Sequence, residues 1–249
     1  MQNTSAQEFI TKGYLIVKNV FDAEECLAWK NELLLLIEEG KKALERHKSK
    51  NENRPMDREI LADLPRVVHK GMLQDIAHRK ELFMSIAKDK RITNVVKPIL
   101  GNDISLYRSL SVFKDATTPR KVGWHQDMSY WRGSNRKLSI TIALDDIQDD
   151  NGCMHFIEGS HDKLFTDLEE QDAIFSRIVP EKYIDHDKEV VANLNRGDVA
   201  LWDATTLHSS CENLSQKDRY TLIYTYQPAS DLSRNRAGIP ELIHGERNT

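Results

Sequence analysis

Hydrophobic positions along the chain follow two regimes. Over roughly the first hundred residues they recur at helical spacing, and beyond Gly101 they gather into short runs divided by turn signals. A strand is expected at Gly13-Tyr14-Leu15-Ile16-Val17. It leads into a helix whose start is marked by Asp22 and Glu25, spaced as in a capping box with Asp in place of Ser or Thr. Leu27, Trp29, Leu33, Leu34 and Ile37 supply the apolar face of that helix, and Gly40 is the expected stop. A second helical stretch covers roughly Lys80 to Leu100 and ends at Gly101.

The β-rich runs that follow are Ile104 to Phe113, Val122 to Ser129, Leu138 to Leu144, Cys153 to Ile157, Val190 to Leu194, Val199 to Trp202 and Arg219 to Gln227. Asp150-Asn151-Gly152 and Asn195-Arg196-Gly197-Asp198 read as turns between them. Many short strands after a helical start predict a mainly β fold with N-terminal helices. The specific expectation is a double-stranded β-helix, of jelly-roll or cupin-like type, flanked by α-helices. One domain over 1–249 is expected: a helical part to about 100, a core over about 101–228 and a tail over 229–249. The tail is polar and expected to run over the surface. Two segments stand apart. Lys41 to Arg58 is highly charged and reads as a solvated helix end and loop, or as a lid. Asp162 to Lys188 reads as an insertion between strands.

Composition narrows the function classes. A formal charge of −4 and a pI near 6.2 argue against a dedicated nucleic-acid partner. No apolar run is long enough for a membrane span, and the first residues lack the pattern of a signal peptide. The three cysteines, Cys26, Cys153 and Cys211, show no paired spacing, so a cytoplasmic setting is expected. Cys153 and Cys211 read as small buried apolar residues rather than nucleophiles.

Candidate chemistry centres on Trp124-His125-Gln126-Asp127. Ligands at i and i+2 of an extended strand point the same way, and the distant His208 can close them into a facial two-histidine, one-carboxylate set. Such a set suits non-haem Fe(II) and O2. A rival grouping of His155, Glu158 and His161 is disfavoured, because residues six apart are not held on one short strand that ends between them. Arg219, eleven residues after His208, offers a fork for a carboxylate that chelates the metal from its other end. Ser210 can donate to the same carboxylate. Met128, Tyr130, Trp131 and Arg132 follow the metal pair and are candidates for lining a small-molecule substrate pocket, with Arg108 and Lys114 also within reach of the cavity.

These residues together resemble the phytanoyl-CoA dioxygenase family of Fe(II)- and 2-oxoglutarate-dependent oxygenases. The resemblance runs from Phe9 to Val20, through Trp124-His125-Gln126-Asp127, Ala143-Leu144-Asp145-Asp146 and Asn151 to His161, to Gly197-Asp198, His208 and Arg219. It implies iron ligands His125, Asp127 and His208, with Arg219 and Ser210 on the distal carboxylate of 2-oxoglutarate. Thr141 occupies the place where some members carry a tryptophan beside the co-substrate. The implied activity is O2-dependent hydroxylation of a metabolite C–H bond, with release of succinate and CO2. A cupin-like metal protein without 2-oxoglutarate, either an isomerase or a dioxygenase, and a non-catalytic binding module are the alternatives. Oligomeric state and substrate identity are not legible.

Overall fold

The computed structural model describes residues 2–50, 68–69, 71–117, 120–131, 136–170, 177–233 and 241–245. Among the described residues, five helices precede the main β region: α1 (Gln2–Lys12), α2 (Ala23–Lys50), α3 (Ile76–Arg79), α4 (Glu81–Ala87) and α5 (Lys90–Leu100). Interleaved with them are β1 (Tyr14–Val17), β2 (Val68–His69) and β3 (Met72–Gln74). Then come β4 (Ile104–Lys114), β5 (Val122–His125), β6 (Leu138–Ala143), β7 (Met154–Ile157), β8 (Glu169–Glu170), β9 (Arg177–Ile178), β10 (Glu189–Ala192), β11 (Val199–Asp203), β12 (His208–Ser210), β13 (Arg219–Pro228) and β14 (Glu241–His244).

The major sheet has the order β1-β11-β6-β13-β4-β3-β2, with β14 also on β4, and the minor sheet has the order β10-β7-β12-β5. The pairings are antiparallel, and the two sheets form the jelly roll that the strand spacing predicts. Strands β6 and β13 are buried on both faces, so their alternation divides two kinds of interior. Leu138, Ile140, Ile142, Leu222, Tyr224 and Tyr226 pack with helical residues such as Leu33, Phe83 and Val96. Ser139, Thr141, Thr221, Ile223 and Thr225 face a cavity between the sheets. Two tyrosines tie α4 to the major sheet: Tyr224 donates to the Phe83 carbonyl at 3.0 Å and Tyr226 to that of Ala87 at 2.8 Å.

The capping box forms as expected, with the Glu25 amide donating to Asp22 Oδ1 at 2.8 Å and the Asp22 amide to Glu25 Oε2 at 3.2 Å. Gly40, however, does not stop the helix, which runs on to Lys50. An interior glycine costs only about 1 kcal/mol, and the residues after it are good helix formers. The buried stripe of α2 is Cys26, Trp29, Leu33, Leu36 and Ile37, while Leu27 and Leu34 are exposed. The part of the charged segment beyond Lys50 falls outside the described residues. Expected helix 80–100 is broken at Lys88-Asp89, where Asp89 caps α5 by accepting from the Arg91 amide at 2.8 Å. Helix α1 replaces what the sequence left unassigned. Within the tail, Glu241–His244 form β14 on β4. Strand β3 covers only Leu110 to Val112 of the long β4, and β14 fills the edge left open at Ile104 to Leu106.

Among the described residues, no helix is long and apolar enough to cross a membrane. Asp162 to Lys188 joins the adjacent strands β7 and β10, as expected of an insertion.

Candidate active site

Strand β5 ends at His125, so the expected strand to Ser129 is too long. Gln126 remains extended, at φ −120° and ψ 126°, before Asp127 opens a 3-10 turn. Alternation therefore survives through Gln126, and His125 and Asp127 reach the same side. His208 follows β11 after a short connection. It begins its own strand, β12, directly opposite His125 in the minor-sheet ladder.

All three side chains are buried, and their ligand atoms lie within 4.8 Å of one another. His125 Nε2 stands 3.9 Å from Asp127 Oδ1, and His208 Nε2 stands 3.9 Å from Asp127 Oδ2. Each imidazole is oriented from behind by its own strand. His125 Nδ1 donates to the Gly123 carbonyl and His208 Nδ1 to that of Thr206, both at 2.9 Å. This tautomer leaves both Nε2 lone pairs aimed at one point. Burial, with the neighbouring His208, pushes His125 down to about 3, so its ring stays neutral at ordinary pH. Asp127 Oδ2 accepts from Trp202 Nε1 at 3.1 Å and Ser139 Oγ at 3.3 Å, which fixes the carboxylate plane.

Gln126, between the two donors, turns the other way and is fully buried. It donates to the carbonyls of Lys163 (2.7 Å) and Thr205, and accepts from the Phe165 amide at 2.8 Å. Its place in the motif thus reflects support of the insertion, a role not readable from spacing.

The centre opens on a cavity of about 100 Å³. At the far end lie Arg219 and Lys114, paired across β13 and β4 and both buried. Arg219 donates to the carbonyls of Gly152 and Asn151 in the expected turn. Lys114 Nζ donates to Ser210 Oγ at 2.8 Å and to the carbonyls of Arg120 (2.9 Å) and Cys211. Two cations thus share a buried pocket and are met by neutral oxygens. Burial, reinforced by Arg219, pulls Lys114 down to about 7; burial also lowers Arg219, to about 10. Gly152 has φ +90°, and a Cβ there would come within 2.5 Å of Lys114 Cδ, so the turn requires glycine.

The cavity brings together His125, Asp127, His208, Ser210, Arg219, Thr141 and Trp131. Arg108 and Lys114 line it too. Met128 and Tyr130 are not among the lining residues. Tyr130 instead bonds the backbone of Arg177, and the Met128 amide bonds the Ala204 carbonyl. Arg132 lies outside the described residues. The rival grouping is not assembled: Glu158 accepts from Tyr14 Oη, and His161 Nε2 donates to the Ile10 carbonyl at 2.9 Å. Gly13, at φ +81°, explains His161's neighbours, since a Cβ there would fall 2.4 Å from the imidazole.

A jelly roll with a buried His-Asp-His cluster facing a cationic pocket belongs to the class of Fe(II)- and 2-oxoglutarate-dependent oxygenases. The chain is a member of the phytanoyl-CoA dioxygenase family, whose model, "Phytanoyl-CoA dioxygenase (PhyH)", matches residues 9–221. It is 25% identical over 244 residues to an ectoine dioxygenase of Stutzerimonas stutzeri, covering 88% of this chain and 74% of the relative. Many solved structures share the fold. One is the alpha ketoglutarate dependent carbocyclase SnoK from nogalamycin biosynthesis, with a TM-score of 0.70, 17% identity, and 99% and 94% of the two chains covered. Another is the epimerase SnoN in complex with Fe3+, alpha ketoglutarate and nogalamycin RO, with a TM-score of 0.69, 19% identity, and 94% and 86% covered.

Proposed function

We propose that the chain is an Fe(II)- and 2-oxoglutarate-dependent dioxygenase that hydroxylates a C–H bond of a small-molecule metabolite. His125, Asp127 and His208 hold the iron. The donor set fits in kind, two imidazoles and one carboxylate buried together; adjacent ligands with bonds of roughly 2.1 Å stand about 3.0 Å apart, so the two His–Asp127 pairs, at 3.9 Å, would draw in by about 1 Å on uptake. When bound, the iron with 2-oxoglutarate and O2 supplies the oxidising chemistry, and succinate and CO2 leave.

The remaining work belongs to the chain. Arg219, Lys114 and Ser210 take the distal carboxylate of the co-substrate, the two cations balancing its charge. Across the β13–β4 ladder the clamp lies at the Arg219–Lys114 pair, and Thr225 pairs with Arg108 at the other end. Ser139, bonded to both Thr225 and Asp127, puts the metal centre toward that second end. The co-substrate thus spans Thr221 and Thr141. The substrate occupies the side bounded by Arg108, Leu110 and Trp131, the last held by Tyr107 with ring centroids 5.3 Å apart. Retention of the carboxylate at Asp127 favours hydroxyl transfer, and similarity to an ectoine dioxygenase supports an oxygenase outcome.

The buried pair of cations facing the cavity is the observation that carries this reading over a cupin-like isomerase, which has no use for a carboxylate clamp there. Succinate formation from 2-oxoglutarate with ferrous iron is the test, run with candidate metabolites and with product mass read for one added oxygen. Turnover undiminished in His125→Ala or Asp127→Ala refutes it.

A further inference from the structure

Outside the buried centre, the described residues hold a second gathering of metal-ligating side chains: Asp149, His155 and Cys211. Cys153 leans on the same imidazole. His155 projects outward from the minor sheet with its ladder partner Val191, which is exposed, and Cys153 and Cys211 flank it just before β7 and just after β12. The Cys211 amide donates to the Cys153 carbonyl at 3.2 Å, so the two cysteines stand side by side where β12 and β7 meet.

Four of the donor–donor separations fall near the edges of a tetrahedron. His155 Nε2 lies 3.4 Å from Cys153 Sγ and 3.1 Å from Cys211 Sγ. Asp149 Oδ1 lies 3.7 Å from Cys153 Sγ and 3.6 Å from His155 Nε2. Bonds of about 2.3 Å to sulfur and about 2.0–2.1 Å to nitrogen or oxygen give tetrahedral edges of roughly 3.3–3.8 Å. A second observation concerns the imidazole. His155 Nδ1 is 2.5 Å from Glu189 Oε1 and donates to it, which leaves the Nε2 lone pair facing both thiols. A carboxylate behind a histidine is the usual outer partner of a metal-bound imidazole. Cys153 is fully buried, while the Asp149 side chain is open to solvent and offers a way in.

We propose that Cys153, His155 and Cys211, with Asp149 at the fourth corner, form a binding site for a thiophilic divalent cation of the zinc class. Sulfur donors select such an ion, whereas the buried His-Asp-His centre selects a harder one, so the two sites differ in preference. On uptake the two thiols release their protons to solvent, and the two thiolates balance the charge of the ion. Affinity accordingly strengthens as pH rises. Burial pushes the Cys153 thiol up to about 12, which keeps it protonated until the ion arrives. The site stands back to back with the cationic pocket. Gly152, next to Cys153, accepts from Arg219, and the Cys211 carbonyl accepts from Lys114.

Titration of the reduced full-length chain with Co2+ tests the site, read by the thiolate-to-cobalt charge-transfer absorption. The parent is expected to develop this band to a plateau within two equivalents per chain, because the buried centre also takes Co2+ without adding to the band. Cys153→Ser, Cys211→Ser and His155→Gln each lose most of it, and Cys26→Ser, altered in the helical core, keeps it. Asp127→Ala also keeps it, because the buried centre has no sulfur donor. The iron assignment and this one therefore fail independently. Absence of the band in a parent with three titratable thiols overturns the proposal. So does a band that survives in both Cys153→Ser and Cys211→Ser, or a Cys153–Cys211 disulfide as the state of the purified chain.

Discussion

His208 stands directly across the β12–β5 ladder from His125, with ring centroids 4.1 Å apart. The ladder sets the position of the pair, each ring being oriented in turn by its own Nδ1 bond to a carbonyl of its strand, and the backbone does not depend on either ring. Replacing either histidine should therefore remove the centre and spare the fold. For His125→Ala or His208→Ala, stoichiometric Fe(II) uptake and succinate formation should both vanish, with the melting midpoint moved by less than about 4 °C, the equivalent of roughly 1 kcal/mol in a chain of this size. Iron uptake at parental affinity would remove that histidine from the ligand set.

Trp202 Nε1 and Ser139 Oγ both donate to Asp127 Oδ2. Groups that orient a ligand from behind typically contribute 10–100-fold in metal affinity. Trp202→Phe keeps the ring packed on Phe156 and His208 but removes the donor. Fe(II) affinity is expected to fall about tenfold or more, with a smaller fall for Ser139→Ala, whose bond is longer. Equal affinity in all three chains, measured by anaerobic titration, would show that the carboxylate is oriented by other groups.

How far the sequence reveals the site depends on whether a residue acts through local periodicity or through distant pairing. Asp22 and Glu25 cap a helix within one turn, and His125 and Asp127 share a side through one extended residue, so both were legible. The strand holding His208 was not. It is three residues long, carries no apolar alternation, and exists because β5 and β7 flank it. Gln126 shows the same limit, since its partners Lys163 and Thr205 lie 37 and 79 residues away in sequence. Lys114 could be suspected of reaching the cavity, but its place beside Arg219 depends on the register of β4 against β13. Gly40 misled because a glycine in a long helix is tolerated more readily than a local rule implies.

In the proposed clamp Arg219 and Lys114 should make distinguishable contributions. Arg219 is held rigidly by the Gly152 and Asn151 carbonyls and presents a planar fork, whereas Lys114 is a point charge on a flexible stem. A hydrogen bond to a charged group contributes about 1.5–3 kcal/mol, or roughly 10- to 150-fold in affinity. Arg219→Leu should raise the apparent KM for 2-oxoglutarate by that order, and Lys114→Met by less. The limiting rate at saturating co-substrate should change less than KM in both. A large fall in kcat with KM unchanged would assign the pair to the reacting centre and not to anchoring.

The pH dependence follows from Lys114, which burial and the charge of Arg219 bring down to about 7. An unfolded lysine titrates near 10.4, so between about pH 7 and pH 10 the folded chain binds fewer protons than the unfolded one. By linkage, the stability of the metal-free, co-substrate-free chain rises with pH across that window. Below pH 7 the lysine is charged in both states and the full cost of burying it is present. Co-substrate binding runs in the opposite sense. In the proposed clamp the dianion needs Lys114 protonated, so affinity should be flat below pH 7 and decline above it, with Arg219 still charged until about pH 10. The apparent KM for 2-oxoglutarate, followed from pH 6 to pH 9, is expected to climb in the parent and to stay level in Lys114→Arg, whose charge does not titrate in that range. A parent profile as level as that of the arginine variant would remove Lys114 from the clamp, because a titrating cation in contact with the carboxylate must imprint its own ionisation on the affinity.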